Sequence, residues 1–328
     1  MLVVVMAALT VMAVVAGSLA LRVDALRGQA RDMLGYAEAR LLVDSARAEA
    51  LYWLASRPIG LASSGFIDEV ALVLDGRPYR TMGGATVRVQ DERGLLSLNQ
   101  PDREALLQLL VHSGAELADA QAMLDILEDY SDSDNLRRLQ GAEAPDYQAI
   151  GLPPPRNDWL QSVYELERMP VWQRLPQVRE RVQPWLGVRR SRLFNPNTAP
   201  IDLLRATFPR VTPDQWTLFE TLRERAPFGG AQAAAAATGI QFVGDQYLFH
   251  ASNTLRLQVW APGLPQVLEY NLLILPTGAY APWRIHEVRL ASRPAGPAVS
   301  SDAQRLVANF PTPSQTVVIT RAASQPTP

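Results

Sequence analysis

The sequence of 328 residues contains neither cysteine nor lysine, and all 31 of its basic residues are arginine. Without cysteine there is no thiol nucleophile, no zinc–thiolate site and no disulfide. Without lysine there is no P-loop lysine, no Schiff-base lysine and no lysine general base. These two absences exclude several large classes of enzyme.

Histidine is scarce, and the common catalytic motifs are missing. The three histidines, His112, His250 and His286, are scattered and fit no HExxH spacing. The sequence has no GxSxG elbow and no GxGxxG loop. We therefore predict that the protein is not an enzyme. A membrane-anchored enzyme with an unrecognised site is the least favoured alternative.

The N-terminal segment has no charge and, together with the amphipathic segment after it, predicts one long helix. Leu2 to Leu21 is apolar throughout and has about the ~20 residues that a helix needs to cross a bilayer. An amphipathic pattern continues from Leu26 to Leu51, and the first proline is Pro58. A helix from Leu2 to Ser56 would be roughly 80 Å long.

A cleaved secretory signal is the alternative for this segment, because Ser18-Leu19-Ala20 has the small-x-small shape of a cleavage site. No basic region precedes the apolar run, which argues against it. Arginines follow the run instead, so the positive-inside rule taken literally points the wrong way. We expect that leader residues precede Met1 in the natural precursor or have been removed.

The hydrophobic period changes several times after Pro58. Short strands joined by turns at Asp75–Pro78 and Gly83–Gly84 are predicted between Glu69 and Asn99. A helical period runs from Pro101 to about Gly239, where frequent prolines require short helices. Strand-like alternation returns in Thr254–Val259, Val267–Leu275 and Trp283–Leu290.

This order predicts an α+β fold in which early and late strands share one antiparallel sheet. The predicted regions are the N-terminal transmembrane and amphipathic helix 1–57, a β domain formed by 58–99 with 246–290, a helical insertion 100–245, and a flexible tail 291–328. Within the tail, Ala303 to Phe310 and Gln315 to Thr320 have the composition to order locally.

Two stretches of the helical region resemble each other at an offset of 98 positions, pairing Asn99 with Asn197. Asn197 or Thr198 is predicted to cap the helix that follows. The second stretch is similar to the helix-hairpin-helix of competence DNA receptors, but its turn, Phe208 to Pro213, lacks glycine and loses two donors to proline. With a net charge of −2, nucleic acid is not an expected partner. An exported DNA-binding protein of a competence-like uptake system is the alternative function.

Carboxylates are dense between Glu128 and Asp146. Alternating acids in a loop can direct several oxygens toward one hard cation such as calcium. The spacing is not that of an EF-hand, and a solvated acidic turn that caps nearby helices is an equal alternative. The candidate metal ligands are Asp129, Asp132, Asp134, Asn135, Glu143 and Asp146.

Taken together, these segments resemble the K-class minor pseudopilin of type II secretion systems. The matching motifs are Asp91 to Asn99, the acidic loop from Asp129 to Asn135 with Gly141-Ala142-Glu143, Tyr164-Glu165-Leu166, and Asn195 to Pro200. The apolar run also lacks the acid that major pilins carry at their fifth mature position, as the family does.

The resemblance implies a pilin-like fold with a helix-hairpin-helix or SAM-like insertion and a structural calcium ion in the acidic loop. It implies a structural role in protein export, at the tip of a periplasmic pseudopilus. The partners would be minor pseudopilins of the I and J classes and the inner-membrane platform, and prepilin peptidase would process and methylate the N-terminus. The protein would cross the inner membrane once and place its C-terminal part in the periplasm.

Overall fold

The computed structural model describes residues 1–292 and 308–312. Its first element, α1 (Leu2–Ser56), is a single helix of 55 residues, which confirms the predicted length. Arg57 leaves the helix with an extended backbone and Pro58 follows. By length and composition, α1 is the one helix in the described part of the chain that can cross a membrane.

The central sheet has six strands in the order β10-β3-β4-β7-β8-β9. All neighbours are antiparallel except β10 and β3. Two further sheets pair β1 with β2 and β5 with β6. The strands are β1 (Ser63–Ser64), β2 (Leu72–Val73), β3 (Asp75–Arg80), β4 (Thr86–Asp91), β5 (Leu96–Ser97), β6 (Leu186–Gly187), β7 (Thr254–Trp260), β8 (Gln266–Ile274), β9 (Trp283–Ser292) and β10 (Ala308–Asn309).

The predicted pairing of early with late strands is confirmed by β4 and β7, which pair from Thr86–Trp260 to Asp91–Leu255. Strand alternation places Val87, Val89 and Leu257 on the face covered by α1. The C-terminal half of α1 contributes one buried stripe to this core, formed by Ala39, Val43, Ala46, Ala50, Trp53 and Leu54.

The turn predicted at Asp75–Pro78 is wrong, because these residues begin β3. The register shifts between Asp75 and Pro78, as in a β-bulge, and Gly76 supplies a φ of 76° there. Asp75 accepts hydrogen bonds from the backbone N–H and guanidinium of Arg77, which stabilises the irregular start. The same residue types, Asp, Gly and Pro, occur in turns and in this bulge, which is why the sequence predicted a turn here. The turn at Gly83–Gly84 is confirmed.

Between β4 and β7 the chain is mainly helical, and the helices are short as the prolines predicted. They are α2 (Arg103–His112), α3 (Leu117–Ser131), α4 (Ala144–Ala149), α5 (Pro170–Arg174), α6 (Pro176–Val182), α7 (Ile201–Thr207), α8 (Pro213–Arg225) and α9 (Ala231–Thr238), with 3₁₀ turns at Glu92–Gly94, Val163–Arg168 and Gln183–Trp185. These helices surround a second core that contains Trp172, Trp216 and Phe219.

The cap predicted for the helix after Asn197 is wrong, because α7 begins at Ile201 with Pro200 at the N-cap position. Asn197 instead exchanges hydrogen bonds with the backbone N–H and C=O of Phe228. Its predicted repeat partner Asn99 exchanges them in the same way with Leu160. Each asparagine therefore lies shortly before a helix and is hydrogen-bonded to a segment that is distant in the sequence.

Part of the C-terminal tail is described. Ala308 and Asn309 pair with Tyr79 and Arg80 of β3, and Phe310 is buried between the rings of Trp53 and Tyr79. For residues 308–310, this agrees with the local order expected for Ala303 to Phe310. The remaining expectations for the tail fall on 293–307 and 313–328, outside the described residues.

Candidate functional site

Two features can carry function: the stem helix α1 and the acidic loop between α3 and α4. The window of α1 that is apolar enough to span a membrane is not buried within the protein. Farther along, where one side packs on the sheet, the opposite side still exposes Leu34, Leu41 and Tyr52, with Leu41 67% exposed. The stem therefore has a second apolar face that the described residues of the chain do not cover.

The acidic loop begins inside the last turn of α3. Asp129 and Tyr130 belong to the buried side of this amphipathic helix, so the Asp129 carboxylate lies inside the protein. This excludes a fully solvated acidic turn. Gly141 passes so close to Asp129 that a Cβ there would collide with its carboxylate. The glycine is therefore required for the loop to close over the acid.

The negative charge of this loop is balanced by Arg138. Its Nη1 lies 2.7 Å from Oδ1 of Asp129 and 2.6 Å from Oδ2 of Asp132. Its Nε lies 2.8 Å from Oε2 of Glu128. Burial lowers the pKa of Arg138, but hydrogen bonds to Asp132 and Asp129 raise it by more, so the net shift is upward. The guanidinium is therefore held charged among three carboxylates.

Glu143 is the acid of the loop that is least well compensated. The residue is only 4% exposed, and neither carboxylate oxygen makes a hydrogen bond of ordinary geometry among the described residues, although the side chain faces the backbone N–H of Asp146 as in a capping box. Burial raises the pKa of Glu143, and the negative charges of Asp129, Asp132, Asp134 and Asp146 raise it further. This side chain lies within the electrostatic reach of four other predicted ligands.

The other predicted ligands lie at the rim. Asp146 accepts a hydrogen bond from the backbone N–H of Glu143 and pairs with Arg137, whose Nη1 is 3.0 Å from Oδ1. Asp134 accepts from the backbone N–H of Leu136. Asn135 accepts from Nδ2 of Asn157, a residue outside the predicted ligand set. Their side-chain oxygens thus stabilise the loop itself.

The carboxylates of the loop have the chemistry to bind a cation, but in this structure the guanidinium of Arg138 lies between them. Within 1–292 and 308–312, no three acidic or histidine side chains converge closely enough to hold an ion. Both oxygens of Glu143 and Oδ1 of Asp132 are nevertheless buried without partners in this part of the chain. Unpaired buried carboxylate oxygens are the groups that a hard cation satisfies.

Behind the loop, a further buried acid fixes the end of α3. Glu165 accepts hydrogen bonds from Oη of Tyr130, Nε of Arg156 and the backbone N–H of Gln161, at 3.2, 2.8 and 2.7 Å. Glu165 belongs to one of the motifs that carried the family resemblance. The sequence showed the motif but not its partners, which lie nine and thirty-five positions away.

Two other motifs of the resemblance meet at Asp91, which is fully buried. Its Oδ2 accepts from Oγ1 of Thr198 at 2.8 Å, and its Oδ1 accepts from the N–H and Oγ of Ser252 at 3.0 and 2.6 Å. Asp91 ends β4, Thr198 precedes α7, and Ser252 precedes β7. This acid therefore joins the helical region to the sheet, and through the sheet to the stem.

The alternative of DNA binding rests on the turn Phe208 to Pro213, where the N–H of Val211 donates to the carbonyl of Phe208 and Thr212 caps α8. The turn between α2 and α3 is its counterpart in the first repeat. In the turn between α2 and α3, the N–H groups of Ser113, Gly114 and Ala115 donate to carbonyls of α2. The following helix begins with Glu116 at its N-cap and Asp119 in its first turn. Three turn donors are therefore used internally, and negative charge stands where a phosphate would approach.

Comparison with known proteins finds a match to a family model and matches to solved structures. Residues 87–190 match the family model of type II secretion system (T2SS) protein K. The fold is similar to a chain in the crystal structure of the GspK–GspI–GspJ complex from the enterotoxigenic Escherichia coli type 2 secretion system. That match has 16% identity and a TM-score of 0.57, and it covers 81% of this chain and 100% of the other. No curated protein matches the sequence.

At this identity the structural match shows the fold, a mixed α/β architecture with a long N-terminal helix and a sheet. The family match covers residues 87–190, a stretch that is therefore similar to type II secretion system protein K. This stretch contains three of the motifs on which the sequence resemblance rests: Asp91 to Asn99, the acidic loop, and Tyr164-Glu165-Leu166.

Proposed function

We propose that this protein is a minor pseudopilin at the tip of the type II secretion pseudopilus, with a structural role in protein export across the outer membrane. The observation that carries the proposal is α1, a 55-residue helix with an unburied apolar first part, in a chain with the protein K match. The first part would anchor the protein in the inner membrane, and the remainder would lie in the periplasm.

Assembly would then exchange lipid contacts for helix contacts. In the membrane, lipid tails cover the apolar first part of α1. In a pseudopilus, parallel helices of partner subunits would cover it together with the exposed face that contains Leu34, Leu41 and Tyr52. The helical region, which is inserted between β4 and β7, would block addition of another subunit above it.

The proposed partners are minor pseudopilins of the I and J classes. The similar structure is described as a complex of GspK with GspI and GspJ, and the uncovered stem face of this chain has the chemistry for such contacts. We also propose that prepilin peptidase processes and methylates the N-terminus and that the inner-membrane platform drives insertion into the pseudopilus.

The role in export is tested by deletion of the gene and complementation. Deletion should remove secreted proteins from the culture medium and leave them in the periplasm. The wild-type gene should restore secretion, whereas Leu41→Glu, which places a charge on the stem face, should restore it poorly at equal protein level. Leu218→Glu, an exposed apolar position of α8, is the matched control. Normal secretion by the deletion strain would overturn the proposal.

We also propose that the acidic loop binds a structural calcium ion, for which Asp129, Asp132, Asp134, Asn135, Glu143 and Asp146 are the candidate ligands. The buried carboxylate of Glu143, which makes no hydrogen bond of ordinary geometry within the described part of the chain, supports this site. When bound, the ion would supply two positive charges to the loop. The residues of the chain fix the ends of α3 and α4 around it.

Calorimetric titration of calcium into the detergent-solubilised full chain tests this site. We expect heat release and a higher melting temperature, because a ligand that binds only the folded state stabilises it. Glu143→Gln should remove both effects, whereas Glu116→Gln, an exposed acid at the other end of α3, should leave both unchanged. If calcium changes neither quantity in the wild-type protein, the loop is not a calcium site.

A further inference from the structure

Arg138 takes the place of a cation in the acidic loop. One nitrogen, Nη1, bridges Asp129 and Asp132, and Nε binds Glu128. The backbone N–H of Arg138 also donates to Oδ2 of Asp129 at 3.1 Å. The main chain next to the guanidinium is therefore fixed independently of the side chain.

The single positive charge of Arg138 does not neutralise all the carboxylates of the acidic loop. With the guanidinium in place, Glu143 and Oδ1 of Asp132 still lack partners within the described ranges. A planar guanidinium donates in one plane and cannot reach both sides of a carboxylate cluster at once. A spherical ion with two charges and six to eight ligands has no such restriction.

Asp129 and Arg138 differ in their freedom to move. Asp129 is completely buried and lies against Gly141, so it cannot turn away. The side chain of Arg138 is 37% exposed and sits on a long flexible stem. When charges are rearranged, the arginine is therefore the member that can leave toward water.

We propose that Arg138 is an exchangeable internal counter-cation that calcium must displace, so that its guanidinium sets the calcium affinity of the loop. This inference rests on the calcium site proposed above. In the metal-free protein the guanidinium neutralises part of the buried charge and keeps the loop closed. On binding, the ion takes over Asp129 and Asp132, and Arg138 moves into solvent.

The first test compares calcium affinity by calorimetry in the full chain for Arg138→Gln and Arg205→Gln. Arg138→Gln should bind calcium about tenfold more tightly than wild type, because a competitor worth about 1.4 kcal/mol is removed. Arg205→Gln is the matched control, since Arg205 is similarly exposed and pairs with Asp202 and Glu220, which are not candidate ligands. Arg138→Lys, which keeps the charge, should lie between wild type and Arg138→Gln and covers the case in which Arg138→Gln does not fold.

The possible results distinguish the displacement of Arg138 by calcium from calcium binding by the loop. Equal or weaker calcium binding by Arg138→Gln and Arg138→Lys would overturn the exchange while leaving the calcium site intact. Binding by Arg138→Gln with none by wild type would support the competition and overturn calcium binding by the natural protein. Absence of binding by wild type and all variants would overturn both proposals.

A second readout follows the arginine itself. Modification of Arg138 by phenylglyoxal, mapped by mass spectrometry, should increase severalfold when calcium is added, because the side chain becomes free. Arg205, which pairs with Asp202 and Glu220 and shares no partner with Arg138, should not change. Unchanged or reduced modification of Arg138 at saturating calcium would show that the arginine stays in the loop.

Discussion

Single buried acids connect parts of the chain that are far apart in sequence. Asp91 accepts hydrogen bonds from Thr198 and Ser252, and the neighbouring Glu92 pairs with Arg256 at 3.0 Å. Burial raises the pKa of Glu92, and the charges of Arg256 and Arg189 offset part of that shift. These acids lie at the junction of sheet and helices, so their pairing determines how the two regions are held together.

Replacement of Asp91 tests this junction. Asp91→Ala should lower the free energy of unfolding by about 3 kcal/mol, because buried donors of Thr198 and Ser252 lose their acceptor. Urea denaturation followed by circular dichroism measures the change. Asp68→Ala, at an exposed acid in the loop after β1, should change stability by less than about 0.5 kcal/mol. A loss for Asp91→Ala as small as that of the control would contradict the junction.

A pH prediction rests on Glu165. Burial raises the pKa of Glu165. The hydrogen bonds and charge of Arg156, with the backbone N–H groups of Gln161 and Ser162, together lower it by more, so the pKa in the folded state is below the ordinary value of 4.5. Because the lower pKa belongs to the folded state, the carboxylate stabilises the protein above pH 4.5. This contribution is lost as the pH falls through the folded-state pKa.

Glu165→Gln should therefore show a flatter decrease of melting temperature with falling pH than wild type, and a lower melting temperature at neutral pH. Differential scanning fluorimetry between about pH 3 and pH 7 measures both. Glu167→Gln, on the same 3₁₀ turn but more exposed, should keep the wild-type slope. Identical slopes for wild type and Glu165→Gln would disprove the assignment.

At the scale of elements, the short strand β10 fastens the C-terminal part of the chain to the stem. Phe310 follows it, and its ring centroid lies 6.1 Å from that of Trp53 in α1 and 6.3 Å from that of Tyr79 in β3. The backbone N–H of Phe310 donates to the carbonyl of Arg80. One aromatic residue therefore closes the corner between the stem helix and the edge of the sheet.

Phe310→Ala should lower the free energy of unfolding by about 3 kcal/mol, because a buried aromatic ring leaves a cavity next to Trp53. Chemical denaturation monitored by tryptophan fluorescence is a direct measurement. Thr312→Ala, exposed two residues later, is the control and should have little effect. Equal stability of Phe310→Ala and wild type would mean that this contact does not support the fold.

Elements with one uninterrupted period were predictable from the sequence. The bounds of α1 were predicted correctly because proline is absent until Pro58, and the strands after Thr254 alternate cleanly. The turn at Asp75–Pro78 was not, because a β-bulge uses the same residues. In the acidic loop the density of carboxylates was visible, but the insertion of Arg138 was not, since loop contacts follow no period.

At the scale of the molecule, the sheet and the helical region have separate hydrophobic cores, and the described residues leave one face of the stem helix uncovered. The sheet covers one side of α1, the helices have their own core, and Asp91 joins the two. The other side of the stem keeps its apolar residues exposed. A surface of this kind suits a protein that works by assembly, and we propose that minor pseudopilins of the I and J classes cover it.

The absence of cysteine allows a direct measurement of this claim, because a single introduced cysteine is a unique attachment site. Leu41→Cys places it on the exposed stem face, and Val243→Cys places it on the exposed surface of the helical region as the control. Each full-length variant is labelled with a thiol-reactive photocrosslinker in cells, irradiated, purified, and its adducts identified by mass spectrometry. The account predicts adducts of Leu41→Cys with minor pseudopilins of the I or J class, and none with Val243→Cys. Efficient labelling at Leu41→Cys without any pseudopilin adduct would contradict it.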